Sequence, residues 1–164
     1  MYKGTTANPF HVSVGAVLSN GKGEICCHYF SRNTSVLKEL GVNDLYILMR
    51  ETMDEGESFS DTIKRGLKEE FGAVGELSHY LGAIQSYFPN KDKVSIEKTT
   101  LYFHVDCTEF NSANRDKNDP ESISEIVWLE PQDLIEKMRQ QSKDLNRTDL
   151  DESTIIERYL HYVD

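Results

Sequence analysis

The 164-residue chain is short of proline and cysteine and has no long apolar run. Its four prolines, with no low-complexity tract and no internal repeat, are typical of a globular composition. No apolar stretch approaches the roughly 18 residues that a transmembrane helix needs. The first residues, Met-Tyr-Lys-Gly-Thr-Thr, lack the apolar core of a signal peptide. We therefore expect a single domain over residues 1–164 with no membrane contact.

Positive charge is also in deficit. The chain carries 18 Lys and Arg against 28 Asp and Glu, a formal net charge of -10. Nucleic-acid-binding proteins usually show a basic patch, and none is evident, so no nucleic-acid polymer is expected as a partner. An acidic protein that handles polyphosphates needs divalent metal to overcome repulsion. Taken alone, however, the charge is better explained by a solvated acidic surface.

The cysteines and histidines show no metal-type spacing. Cys26 and Cys27 are adjacent and Cys107 is distant, which favours buried thiols in a reducing compartment and predicts a cytoplasmic location. The histidines are expected to be structural or surface residues rather than ligands; they are His11, His28, His79, His104 and His161. No serine lies in a nucleophile-elbow context.

Apolar patterning predicts an α/β fold. Predicted strands are His11–Leu18, Glu24–Phe30, Leu45–Met49, Leu77–Tyr87, Thr99–Cys107 and Ile123–Leu129. Two helices are predicted at Pro131–Gln141 and Ser153–Val163, and loops at Ser31–Asp44, Asn90–Ile96 and Asn111–Ser122. Strands, a helix, more strands and more helices in that order predict a mixed sheet between helices.

A further helix is signalled between Ser58 and Gly72. Ser58 and Asp61 form a capping-box-like start, and Gly72 is a good stop. An apolar residue recurs at every fourth position, which predicts a stripe facing the core; its members are Phe59, Ile63, Leu67 and Phe71.

The same helix carries paired carboxylates, Glu69 and Glu70, one turn after Arg65. Two carboxylates side by side repel each other unless a cation lies between them, and hard oxygen ligands suit Mg²⁺ or Mn²⁺. A bare Glu-Glu pair is more often a solvated helix face. The full spacing from Glu57 through Arg65 to Gly72, directly after a strand, favours a site instead.

The segment from Glu51 to Ala73 reads ETMDEGESFSDTIKRGLKEEFGA. It resembles the signature of the Nudix hydrolases: a glycine, five residues, a glutamate, seven residues, Arg-Glu, an aliphatic residue, any residue, Glu-Glu, any residue, Gly and an aliphatic residue. The matching residues are Glu57, Arg65, Leu67, Glu69, Glu70, Gly72 and Ala73. Glu125–Leu134 is similar to the later strand and loop of that family. The resemblance implies an α/β/α sandwich with a mixed β-sheet.

The resemblance also implies roles for the motif residues. Glu69 and Glu70 are the implied metal ligands and catalytic carboxylates. Glu57 and Arg65 are expected to hold the loop to the helix, Gly56 to supply the turn, and Gly72 to end the helix.

Two positions depart from the signature. Glu51 stands in place of the first glycine, whose carbonyl binds the metal in the family, and Gly66 in place of a ligand glutamate. One interpretation is decay of the site. The other is relocation: Glu51 restores the missing ligand and Gly66 leaves room for its side chain, so that Glu51, Glu69 and Glu70 bind the metal.

The general base is left open by the motif. The family often takes it from a glutamate on a later loop, and the candidates are Glu97, Glu121 and Glu125. Among them we favour Glu125 because it precedes the strand that contains Trp128, although for any single candidate a solvated loop carboxylate is the better-supported interpretation.

The resemblance implies a divalent-metal-dependent hydrolase. It would cleave a pyrophosphate bond in a nucleoside diphosphate derivative, by attack of a metal-activated water on phosphorus. The main alternative is a catalytically inactive module that binds a nucleotide or a protein partner; a weaker one is an acidic interaction domain without a ligand site. A small-molecule nucleotide is the expected partner, and a homodimer is an expectation from the fold alone.

Overall fold

The fold is that of a computed structural model, which describes residues 2–31 and 44–163. Its strands are β1 (Phe10–Ser19), β2 (Ile25–Ser31), β3 (Asp44–Ile47), β4 (Met49–Thr52), β5 (Ala73–Pro89), β6 (Ser95–Phe110) and β7 (Glu125–Leu129). Its helices are α1 (Phe59–Gly66), which continues into a π-helical turn (Leu67–Phe71), α2 (Pro131–Leu145) and α3 (Ser153–Val163). Short 3₁₀ turns cover Ser112–Asn114, Pro120–Ile123 and Thr148–Leu150. The predicted loop Ser31–Asp44 falls, except for its two end residues, outside the described residues.

Strand β1 is the centre of a mixed sheet that forks. One edge of β1 pairs in parallel with β6, which pairs in turn with β5. Its other edge is divided between two antiparallel partners: β4 pairs with Ser13–Ala16, and β2 pairs only with Leu18 and Ser19. Strand β2 then carries β3 and β7 on its two edges. The predicted mixed sheet is confirmed, and β4 and β2 diverge from a common neighbour.

The β5–β6 hairpin is longer than predicted. Patterning indicated Leu77–Tyr87 and Thr99–Cys107, whereas pairing continues from Ala73 opposite Phe110 to Pro89 opposite Ser95. The ends of both strands carry many exposed side chains, so they contribute little apolar signal, and main-chain pairing rather than burial defines them. Predicted loop Asn90–Ile96 is therefore reduced to a tight turn.

Apolar clusters lie on both faces of the sheet. The first is formed with α1 and its π-turn and includes Val14, Met49, Met53, Ile63, Leu67 and Phe71. The second is formed with α2 and α3 and includes Val17, Leu48, Tyr102, Leu134, Met138 and Ile156. Helices therefore cover both faces, which confirms the sandwich. None of the helices among the described residues is long and apolar enough to cross a membrane.

The motif helix is capped as predicted but is not α-helical throughout. The Ser58 and Asp61 capping box is present, and Gly72 ends the helix with φ 65°. Phe59 was expected to face the core but is 42% exposed; its ring packs against that of Phe103. From Leu67 the backbone is π-helical, so angular positions calculated at 3.6 residues per turn do not apply to the Glu69-Glu70 pair.

Candidate active site

Arg65 closes the loop between β4 and α1. Its Nε and Nη2 donate to the two carboxylate oxygens of Glu57 at 2.9 and 2.8 Å, and Nη2 also donates to the carbonyl of Thr52 at 3.0 Å. Glu57 accepts a further bond from the Asp54 N–H at 3.0 Å. Hydrogen bonds from Arg65 and Asp54 lower the pKa of Glu57 to about 2, so this carboxylate is charged and already fully engaged.

Glu51 and Gly66 are in direct contact across the interface of β4 and α1. A Cβ added to Gly66 would lie 2.9 Å from the Cβ of Glu51 and 2.8 Å from the Sδ of Met49, closer than real Cβ contacts allow. The space that a side chain at position 66 would need is thus taken by Met49 and by the Cβ of Glu51. The Glu51 carboxylate accepts from the Thr52 N–H at 2.7 Å and lies 3.2 Å from Arg65 Nη1.

Glu69 faces the same arginine. Its Oε2 is 3.7 Å from Arg65 Nη1, so Arg65 is shared by Glu51, Glu57 and Glu69. The structure therefore brings together, around one guanidinium, three of the carboxylates that the sequence singled out.

Glu70 is directed into the protein. It is 3% exposed, and its Oε2 lies 2.8 Å from His28 Nε2, whose other nitrogen lies 2.8 Å from Ser124 Oγ. Burial, reinforced by the nearby carboxylates of Glu121 and Glu51, raises the pKa of Glu70 well above its usual value. Burial also lowers the pKa of His28 to about 3. A buried carboxyl with like charges nearby is the environment that a cation relieves.

Arg115 ties the loop after β6 to the π-turn. Its guanidinium donates to the main-chain oxygens of Glu70, Glu121 and Ser124, the last two at 2.8 Å each. These bonds hold Glu121 beside Glu70. Burial, a hydrogen bond with Asp119 and the charge of Glu51 raise the pKa of Glu121 to about 7.

The three candidates for the general base lie in different surroundings. Glu121 lines the same cavity as Glu70. Glu97 lies on β6 and accepts a hydrogen bond from Gln85 at 2.6 Å. Glu125 is exposed at the start of β7, opposite Tyr29, and does not line the cavity. The structure thus places Glu121, rather than the favoured Glu125, next to the motif carboxylates.

The cavity lies where β4 and β2 diverge and has a volume of about 120 Å³. Carboxylates and cations line it together with apolar groups; the residues are His28, Phe30, Ile47, Leu48, Arg50, Glu70, Lys98 and Glu121. An opening with several polar groups and shifted pKa values is a typical site for a small polar ligand.

The carboxylates suit a divalent cation in chemistry but are not gathered around one point. Within residues 2–31 and 44–163, no group of three His, Cys, Asp or Glu side chains is arranged to hold a metal ion. Glu51 and Glu69 face Arg65, while Glu70 faces His28. Their oxygens are nevertheless the hard ligands that Mg²⁺ and Mn²⁺ prefer, and burial, with the charges of Glu121 and Glu51 nearby, raises the pKa of Glu70.

Four residues around the site were not identified from the sequence as taking part: His28, Arg50, Lys98 and Arg115. His28 was expected to be a structural or surface residue, and no spacing links it to Glu70. The other three are single basic residues within strands or a loop. Only the paired register of the strands and the folded loop brings them to the motif.

Comparison with known proteins identifies one family. No curated protein matches the sequence, whereas the profile of the NUDIX domain matches residues 9–148. Among solved structures, a NUDIX hydrolase from Nitrosomonas europaea superposes with a TM-score of 0.62 at 14% identity, over 93% of this chain and 89% of that one. The E. coli ORF135 protein, solved in solution, superposes with a TM-score of 0.55 at 13% identity, over 94% of this chain and 91% of that one. With a profile match over most of its length and the corresponding fold, the chain belongs to the NUDIX domain family.

Proposed function

We propose that the protein is a divalent-metal-dependent hydrolase that cleaves a pyrophosphate bond in a nucleoside diphosphate derivative. One observation carries the proposal: the Cβ of Glu51 lies 2.9 Å from where a Cβ at position 66 would be, and the Glu51 carboxylate lies 3.2 Å from Arg65 Nη1, the same nitrogen that Glu69 faces. Simple loss of a ligand glutamate at position 66 does not account for a carboxylate on the facing strand beside Glu69. Its position supports relocation of the ligand over decay of the site.

The residues that would hold the metal are Glu51, Glu69 and Glu70. Bound Mg²⁺ or Mn²⁺ would neutralise phosphate charge and lower the pKa of a coordinated water. Arg65 keeps Glu51 and Glu69 on the same side of α1. We assign Glu121 as the general base in preference to Glu125, because it lines the cavity with Glu70 and its pKa of about 7 matches proton transfer near neutral pH.

The reaction adds one water across the P–O–P linkage. The water oxygen forms a bond to phosphorus, the bond from that phosphorus to the bridging oxygen breaks, and the bridging oxygen leaves with the other phosphate. Glu121 takes the proton released by the water. Since all three cysteines are free thiols, we further propose that the protein works in a reducing compartment such as the cytoplasm.

The test is turnover of a panel of substrates by the purified chain with Mg²⁺ and with Mn²⁺. The panel comprises nucleoside triphosphates, nucleotide sugars, ADP-ribose, NADH and dinucleoside polyphosphates. Wild type is compared with Glu51→Gln, Glu70→Gln and, as a matched control on the exposed face of α2, Glu136→Gln. We expect metal-dependent turnover that falls at least about 100-fold in the two site variants, the order of loss for a catalytic group, and is unchanged in the control.

Calorimetric titration with Mn²⁺ gives a second measurement on the same proteins. Weaker binding to Glu51→Gln than to Glu136→Gln supports relocation, and equal affinity together with equal turnover contradicts it. The alternative function, a silent module, predicts a thermal shift with one nucleotide and no turnover with any. That result would replace the enzymatic proposal.

A further inference from the structure

Two cations line the cavity together with the carboxylates. Arg50 comes from β4 and Lys98 from β6, and both border the same space as Glu70 and Glu121. Strand β1 lies between these strands, with Gly15 opposite Arg50 and His11 opposite Lys98. The two positive charges therefore come from separate strands and meet only in the folded sheet.

Lys98 has no partner among the described residues. Its ammonium makes no hydrogen bond and no ion pair there, although its side chain is half-buried. Burial and the charge of Arg50 lower the pKa of Lys98 to about 8, so it is still mostly protonated at neutral pH. Lysines are seldom buried without a partner, and an unpaired one beside a cavity is suited to an anionic ligand.

Arg50 is anchored by the Glu152 carboxylate, the Asp149 carbonyl and the Tyr102 hydroxyl, which do not use all five of its N–H donors. Its Nε lies 3.7 Å from the buried carboxylate of Glu152, and its Nη1 lies 3.5 Å from the carbonyl of Asp149. Both contacts are long for hydrogen bonds, and a guanidinium has five N–H donors. The Glu152 contact fixes where the guanidinium lies without using all of its donors.

From this arrangement we propose that Arg50 and Lys98 form a binding site for one phosphate group of the substrate, in the cavity that they line with Glu70 and Glu121. A volume of about 120 Å³ corresponds to roughly four water molecules at about 30 Å³ each, which is enough for the four oxygens of a phosphate. Two cations from different strands fit a doubly charged group better than a single carboxylate. The inference rests on the proposed function for its substrate, but anion binding itself does not require turnover.

The site assigns different tasks to the two kinds of charged residue in the cavity. The carboxylates would hold the cation and take the proton, whereas Arg50 and Lys98 would bind phosphate oxygens directly. Substrates with a phosphate of higher charge should therefore be favoured over those with a neutral group at that position.

Binding of inorganic pyrophosphate to the full chain tests the inference, measured by calorimetry with and without Mg²⁺. Lys98→Met should weaken binding at least about tenfold, whereas Lys98→Arg should retain it within about threefold, since charge-assisted bonds to phosphate are the strong ones. Lys22→Met, in the exposed β1–β2 turn, removes the same charge elsewhere and should leave binding unchanged. Arg50→Lys should weaken binding too, and thermal melts verify that each variant is folded.

The outcomes separate this inference from the proposed function. Equal affinity of wild type and Lys98→Met, equal losses in Lys98→Met and Lys22→Met, or no pyrophosphate binding by wild type would overturn the phosphate site, whatever the hydrolysis assays give. Selective loss in Lys98→Met without turnover of any substrate would leave the phosphate site in place and remove the enzymatic proposal. If the chain is active, Lys98→Met should raise KM more than it lowers kcat.

Discussion

Filling the space beside Gly66 should destabilise the protein only while Glu51 is present. In the Gly66→Ala variant, the new Cβ is 2.9 Å from the Cβ of Glu51 and 2.8 Å from the Sδ of Met49. The first contact is rigid, because the Cβ of Glu51 is fixed to β4. The second is with the thioether of a methionine, which can move to another rotamer. Removing the Cβ of Glu51 in Glu51→Gly should therefore relieve most of the clash.

Two opposing terms set the size of the effect. Overpacking costs about 1–3 kcal/mol, while replacing a helical glycine by alanine gains about 1 kcal/mol. Gly66→Ala should thus lose up to about 2 kcal/mol of unfolding free energy in the wild-type background and gain up to about 1 kcal/mol in the Glu51→Gly background. The difference, a coupling of about 1–3 kcal/mol, is what a double-mutant cycle measures.

Urea denaturation of wild type, Gly66→Ala, Glu51→Gly and the double variant gives the four free energies, provided that the m-values agree. Additivity within about 0.5 kcal/mol would refute the claim that Glu51 occupies the space beside Gly66. A parallel variant, Gly66→Glu with Glu51→Gly, restores the family signature. It should bind Mn²⁺ about as well as wild type and better than Glu51→Gly alone; if it does not, the two positions do not exchange the ligand role.

Two further predictions concern stability. Tyr102 donates its hydroxyl proton to Glu152, which is 1% exposed, so Tyr102→Phe should cost about 1–3 kcal/mol by leaving a buried carboxylate short of a donor; no change in the urea midpoint would contradict this. Burial and the charges of Lys98 and Lys3 lower the pKa of His11 from 6.5 to about 4. Because the unfolded chain then binds the proton more readily, stability should be greatest above pH 6.5 and fall between pH 6.5 and 4. His11→Gln should flatten this part of the urea-midpoint profile, and identical profiles would count against it.

The elements that sequence predicted best are those with local signals. Ser58 and Asp61 form their capping box within four residues, and Gly72 ends the helix where the pattern placed it. These features depend on neighbours in the chain, as does the signature itself. The ends of β5 and β6 were missed because their side chains face water, and pairing with each other, rather than apolar periodicity, holds them in the sheet.

The parts of the site that were missed depend on distant contacts. Glu121 reaches the cavity because Arg115 donates to carbonyls on the loop and on the π-turn, and nothing in either local sequence encodes that bond. The π-turn is equally hidden, since Leu67–Phe71 has the composition of an ordinary helix. Nothing in the sequence distinguishes Lys98 from other lysines in strands. The register of β1 and β6 places it beside the cavity.

Strand β4 explains how the two departures from the signature fit one site. Successive side chains of a strand point to opposite faces, so Arg50 lies on the side of Glu152 and Tyr102, while Glu51 lies against Gly66 on α1. One short strand thereby supplies a cation to the cavity on one face and a carboxylate to the helix on the other. In the family signature, the residue at position 51 is a glycine and the helix provides the carboxylate at position 66. Here the helix has a glycine at position 66, which leaves room for Glu51. Loss of the site would require only the change at position 66, whereas a relocated ligand requires both changes.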